Sequence, residues 1–428
     1  MANIVPFRGL RYNPRRIRDL SKVLCPPYDI ITEAEQKRFY RISPHNMIRL
    51  ELGKIFSSDN GSENRYTRAK AFLEKWISEG ILLQDREPSI YFYEQQFGKG
   101  KRRARRIGFM ALLELGKTGG RFVYPHEKTF PLPKEDRFLL LEKLHTNVSP
   151  LFFLFTDPEK RVEAVVKPWM RRTAPAADVS LDGVRHRMWR LADRTLIAHL
   201  RKQICRSALF IADGHHRFEV SRVFQKKMGK KLGNFVLVYF ANLMDADSAI
   251  FPIHRLVKGL GYSFAELQAK LAELFTFTPY PSASRLLKAM EKPRREYVFG
   301  MHWKGKPFYL LTLKNRKALA EIDRRCRRSK TWRRLDVTIL HELVFKNRLG
   351  ITEETLRRRV LFIRDVGQCL EHIRRGRYQV IFFLRGARMD QVRRIALAKE
   401  RVPQKSTYFY PKPVTGLVLH RFEEGATH

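Results

Sequence analysis

Cysteine is scarce: Cys25, Cys205, Cys326 and Cys369 are the only four in 428 residues, and no two lie close together. That excludes a disulfide framework and the paired-cysteine spacing of a zinc module, and it suits a reducing cytoplasm. Long apolar runs are missing as well. No stretch approaches the roughly 18 consecutive apolar residues needed to span a bilayer, so no membrane partner is expected. The opening "MANIVPFRGLRYNPRRIRDL" is Arg-rich and free of acids before Asp19, as a transit peptide is, but it has no apolar signal core. Neither GxxxxGK[ST] nor the protein-kinase signature set occurs, so the two common frameworks for handling ATP are excluded. Internal repeats and low-complexity linkers are absent too. A chain of this length then reads as two or three globular domains.

Acids are the other shortage. Against 84 Lys+Arg stand 43 Asp+Glu, a formal net charge of +41. Such a charge attracts phosphate-rich partners, nucleic acid first. The densest patches are "GKRRARR" (100–106), "DRRCRRSKTWRR" (323–334) and "LRRRV" (356–360). None is a long basic tail, and none alternates with stacking aromatics, so a solvated basic surface is the competing interpretation.

What is present is a mixture of helix and strand periodicities. "TEAEQKRFYRI" and "RYTRAKAFLEKWISEGIL" read as helices, the second closed by Gly80. "SIYFYEQQF" and "RIGFMALLEL" read as strands joined through the basic loop at 99–106; "SPLFFLF", "SALFIAD" and "NFVLVYFANL" read as further buried strands. Beyond Tyr262 the rhythm changes. "SFAELQAKLAELF" is an amphipathic helix, "REYVFGMHW" and "PFYLLTL" pair around "KGKP", and 360–384 reads strand, helix, strand. The expected class is α+β (mixed α/β), divided near residue 260 into an N-terminal α/β domain (1–260) and a C-terminal α+β domain (261–428).

Chemistry concentrates in "LFIADGHHRFEVSRVF" (209–224), where a strand gives way to a helix. Asp213, Gly214, His215, His216 and Arg217 fall at the junction. The amino end of a helix favours anions, glycine admits close backbone approach, and arginine offers a planar fork to phosphate oxygens. Gly214, His215, His216 and Arg217 are therefore candidate phosphate binders. Asp213 would repel bare phosphate and suits a different role, holding magnesium or accepting a hydroxyl proton. The alternative is an N-cap aspartate in a surface ion pair with Arg217.

Other candidates are scattered. Asp29 in "PPYD" is a second base or metal ligand, or a turn cap. "HEKTFPLPKEDR" (126–137) reads as a polar, Pro-punctuated lid loop, bringing His126 and Glu127 to substrate and Lys134 and Arg137 to phosphate, or as a solvated ion-pair network. Thr146, Asn147 and Ser149 precede a buried strand and suit a phosphate or an amino acid, or simply cap a turn. Asp245 and Asp247 beyond a strand end can bind a divalent ion, or are simply the acids of an exposed loop. His254 and Arg255, after Pro252, suit contact with phosphate or substrate, or simply pack.

Stretches in a fixed order carry a family resemblance: "PFRGLR", "CPPYDII", "HNMIRLEL", "YFYEQQF", "HEKTFPLPKEDR", "HTNVSPLF", "GVRHRMWRLAD", "IADGHHR", "FPIHRLV" and "STYFYPKPVTGLVLHR", spanning residues 6–421. The chain resembles a prokaryotic family long catalogued only as a domain of unknown function, which includes diphosphate-dependent free-serine kinases. "PFRGLR" belongs to that pattern, which argues against a removable leader. "DGHHR" also resembles the phosphate-gripping turn of the ParB and sulfiredoxin superfamily. The resemblance implies a ParB/sulfiredoxin-like core and phosphoryl transfer to free L-serine, with Mg2+ and with diphosphate, ADP or ATP as donor. A nucleotide-switched, ParB-like nucleic-acid-binding protein is the alternative. Two departures stand out: the strong basic charge, and Cys25 where a small residue usually precedes "PPYD".

Overall fold

The computed structural model describes residues 2–98, 103–116, 122–125, 131–244, 249–292, 297–314, 316–403 and 405–423. The chain forms two compact units. One gathers Met1–Pro125, Thr129–Ser248 and Pro411–His428; the other is built on Ala249–Tyr410. Each is a mixed α/β arrangement of helices on a sheet.

In the first unit, apolar strands buried on both faces assemble a mixed sheet. Among the described residues it has nine strands. Their order is Val123–Tyr124, Leu209–Asp213, Leu151–Phe155, Phe235–Asn242, Ala104–Glu114, Ile90–Phe97, Val184–Leu191 and Ala177–Leu181, with Ile4–Val5 also paired to Ala104–Glu114. Two pairs run parallel, Leu209–Asp213 with Val123–Tyr124 and Phe235–Asn242 with Leu151–Phe155. Strands Ile90–Phe97 and Ala104–Glu114 are antiparallel neighbours from Phe97↔Ala104 upward, as the hairpin expectation requires.

One face carries Phe92, Phe109, Phe153 and Phe240. They pack on Val162, Val166 and Met170 of helix Arg161–Arg172 and on Ile197, Leu200 and Ile204 of helix Arg194–Ile204. Spacings of three and four put each set on one stripe of its helix. Alternation turns Tyr91, Tyr93 and Gln95 to the opposite face. There the end of the chain lies across the strands. Gln95 Nε2 donates to Lys412 O (3.0 Å), buried Arg106 donates to Pro411 O, and Val414 N donates to Tyr93 Oη (3.4 Å). Bridges Cys25↔Thr415 and Leu10↔Leu419 then bring "CPPYD" beside "PKPVT".

The second unit holds a six-stranded antiparallel sheet ordered Phe275–Tyr280, Phe308–Leu313, Val298–Trp303, Val380–Phe383, His254–Val257, Val360–Ile363. Leu267 and Leu271 of helix Phe264–Ala272 join the core on one face; Leu286 and Met290 of Ala283–Glu291 and Ile373 of Val366–Arg374 join it on the other.

One sequence expectation is corrected. The lid expected over 126–137 is not a loop from Pro131 onward, because Pro131–Leu144 is a helix. Proline is tolerated in a first helical turn, where its missing N–H has no intrahelical acceptor to lose, and Leu140, Leu141 and Leu144 bury one side.

Candidate functional site

The buried run "LFIAD" ends its strand at Asp213, and the backbone turns at Gly214 into helix His215–Met228. Gly214 sits at φ 91°, and a Cβ there would stand 2.8 Å from Leu151 Cδ2 and 3.1 Å from Arg217 Nη2. Both the dihedral and the space call for glycine. Gly214, not Asp213, is the N-cap. Arg217, one turn in, donates from Nη2 to Asp213 Oδ2 (2.9 Å) and from Nη1 to Ser149 Oγ and Pro150 O (2.8 Å each). With side chains only 12% and 15% exposed, Arg217 and Asp213 form a buried pair rather than a surface one.

Lys412 completes the arrangement. Its ammonium lies 2.5 Å from Asp213 Oδ1 and also pairs with Asp29, while its side chain is 7% exposed. Burial opposes the lysine charge, but Asp213 and Asp29 outweigh it and hold the pKa above the ordinary lysine value. Arg217 is also raised: burial works against its charge, and Asp213, Glu51, Tyr28 and Asp29 overcome it.

A second layer supports these groups. Glu51, 2% exposed, accepts from Tyr28 N (3.2 Å) and Ser149 Oγ (3.1 Å). Arg137 donates to Glu51 O (2.8 Å) and Asp136 Oδ2 (2.7 Å), and its guanidinium lies 4.2 Å from the centre of the Tyr28 ring. Burial pushes the Tyr28 hydroxyl up to about 12, so it stays protonated at neutral pH. Arg65 and Tyr66 Oη (2.8 Å) both bond Asp136. A cavity of about 50 Å³ opens among Glu51, Arg137, Ser149 and Arg217.

The expected site residues are distributed as follows. Asp29, Asp213, Gly214, Arg217, Ser149 and Arg137 come together in the first unit. His215 is buried and His216 half-buried in the first turn of the same helix. Lys134 pairs with Glu219 on the neighbouring helix. Thr146 Oγ1 donates to Leu144 O (2.9 Å) and Asn147 Oδ1 accepts from Leu237 N (2.9 Å), so both brace the frame. His254 and Arg255 belong to the second unit. There His254 Nδ1 accepts from Leu384 N (3.4 Å), and burial lowers its pKa to about 4. His126, Glu127, Asp245 and Asp247 lie outside the described residues.

Lys412 and Glu51 were not singled out in the sequence, although both fall in stretches that carry the resemblance. The available signal was chemical: a lone lysine between prolines in "YFYPKPVTGLVL", and an acid inside the apolar "MIRLEL". Among the described residues no three His, Cys, Asp or Glu side chains converge on a metal position. Because the Lys412 ammonium bridges Asp29 and Asp213, that acid pair does not fit a divalent ion.

The family model described as "Protein of unknown function (DUF1015)" matches residues 4–338. The chain belongs to this family. Among curated proteins no match was found for this DUF1015 chain. Solved structures give distant likenesses. SbnI with a C-terminal truncation, from Staphylococcus aureus, is 13% identical with a TM-score of 0.36, covering 72% of this chain and 86% of that one. A free serine kinase in complex with AMP is 13% identical, with a TM-score of 0.34 and coverage of 70% and 86%. A conserved hypothetical protein from Pyrococcus furiosus is 11% identical, with a TM-score of 0.33 and coverage of 70% and 90%. Likenesses this distant carry no weight for function; the geometry of the chain itself has to carry it.

Proposed function

We propose that this DUF1015 protein is a phosphotransferase that moves a phosphoryl group to the hydroxyl of free L-serine, giving O-phosphoserine. Diphosphate or a nucleotide, ADP or ATP, is the donor, and the first unit serves as a ParB/sulfiredoxin-like core. The observation that carries the proposal is the Lys412 ammonium held by Asp29 and Asp213 where the strand turns at Gly214 into a helix.

Phosphoryl transfer needs an aligned hydroxyl, a proton acceptor and positive charge at the transferring oxygens, with little covalent work from the protein. The turn Gly214–Arg217 receives the donor's terminal phosphate at the helix amino end. Arg217, already committed to Asp213, Ser149 and Pro150, lends its charge rather than a free fork. Lys412, kept protonated by its two acids, faces the moving group. Serine Oγ forms the new P–O bond as the donor's bridging P–O bond breaks. The hydroxyl proton passes to Asp29, whose side chain is more exposed than that of Asp213 (24% against 15%), while Asp213 orients Lys412. These two acids with Lys412 and Arg217 are formally neutral together, so magnesium enters only as the counter-ion of the donor.

Incubation with serine, magnesium and each donor in turn, read by mass spectrometry for phosphoserine, tests the proposal. Product is expected with at least one donor and none with Asp213→Asn; no product with any donor overturns it. The +41 charge favours a second reading, a nucleotide-switched, nucleic-acid-associated protein.

A further inference from the structure

Within the second unit a cavity of about 410 Å³ is lined by Arg255, Arg334, Arg385 and Arg388. That volume lies in the range of roughly 300–1,000 Å³ typical of small-ligand pockets. The guanidiniums come from three separate parts of the chain: strand His254–Val257, the residue after helix Lys330–Arg333, and the segment between strand Val380–Phe383 and helix Met389–Leu397. Asp336 is the one carboxylate in the described lining, and Leu335, Val337 and Leu384 supply an apolar wall.

The attachments of these arginines separate fixed groups from exchangeable ones. Arg255, 1% exposed, is fixed by bonds to Ile253 O and Lys405 O (2.9 Å). Its charge reaches its neighbours: after burial, it is the cause that lowers His254 to about 4 and His341 to about 3. Arg334 and Arg388 each hold a carboxylate outside the lining, Asp323 and Asp390, which are 36% and 48% exposed. Both pairs are bidentate, but their carboxylates reach solvent, which screens the attachment and lets an anion in the cavity compete for the guanidiniums. Arg385 is held by Asp336 Oδ2 at 2.9 Å. Four guanidiniums lining one cavity from three parts of the chain match an anion with many oxygens around phosphorus better than a single flat carboxylate.

We propose that this cavity binds a phosphorylated small molecule, its phosphate among the arginines and its less polar part against the apolar wall. The cavity shares no lining residue with the Lys412 cluster, and the proposal stands whether or not phosphoserine is formed.

Calorimetric titration of the full chain with inorganic diphosphate, ADP and citrate tests it, in a Gly214→Ala background that weakens donor binding at the first unit's turn, so that the event read is the one in this cavity. Binding of diphosphate or ADP should weaken by about tenfold or more in Arg388→Gln and in Arg385→Gln, the loss expected for a charge-assisted pair. Without Gly214→Ala, both variants should retain the phosphoserine yield of the unaltered chain. Asp336→Asn removes the carboxylate that competes for Arg385 and should tighten the same event; a merely structural role for Asp336 would not. Binding indifferent to all three substitutions, or citrate bound as tightly as both phosphate probes, would overturn the assignment.

Discussion

Lys412 has its stem packed in protein and its ammonium between two carboxylates, so its removal takes away the positive charge that bridges Asp29 and Asp213 and leaves Asp213 to Arg217. Truncating one partner of a buried pair costs about 3–5 kcal/mol. Lys412→Met should therefore lower the thermal midpoint and abolish phosphoserine formation. Adding Asp29→Asn should restore part of the stability but none of the turnover, a coupling that a double-mutant cycle measures. Additive losses would mean that the ion pair is not a unit. Two buried histidines set a pH dependence. His254 and His186 are both lowered to about 4, chiefly by burial. Between that value and the ordinary 6.5 or so, the unfolded chain takes up protons that the folded chain refuses. Stability from this source is full above about 6.5 and declines as pH falls toward 4, by roughly 3 kcal/mol per histidine over the whole window. Denaturant midpoints at pH 7 and pH 5 should show the fall, and His254→Asn should flatten it; an unchanged slope would remove His254 as a cause. At this scale "DGHHR" was legible because strand, glycine and helix are local signals. Lys412 was not, because its meaning comes from residues far away in sequence.

Gly214 shows how an element junction shapes the site. Alanine at φ 91° would be strained, and its Cβ would press on Leu151 and Arg217. Gly214→Ala should cost about 1–3 kcal/mol and displace the Arg217 fork, weakening diphosphate binding as well as stability. A variant as stable and as tight-binding as the parent would show that the turn has slack. The paired strands around "KGKP" and the strand–helix–strand run over 360–383 follow their hydrophobic patterns. Helix Pro131–Leu144 did not, since its prolines read as loop punctuation. What settles it is burial of Leu140, Leu141 and Leu144, a tertiary effect with no local mark.

Over the whole molecule the charge balance dominates. A formal +41 predicts attraction to any polyanion, and composition does not reveal whether a specific site stands behind it. Affinity for unrelated DNA sequences should fall steeply with salt and show no sequence preference. Discrimination among sequences that survives high salt would instead favour the nucleic-acid reading. Composition is equally silent on the packing of Lys412 and Val414 against Gln95 and Tyr93 of strand Ile90–Phe97, the long-range step that delivers Lys412.

The most direct test of the central claim is a crystal structure of the full chain grown with magnesium and a non-hydrolysable diphosphate analogue. The terminal phosphate should sit at the Gly214 turn, within reach of the Lys412 ammonium. An analogue bound in the first unit away from that turn, with the bridge between Asp29, Lys412 and Asp213 undisturbed, would contradict it.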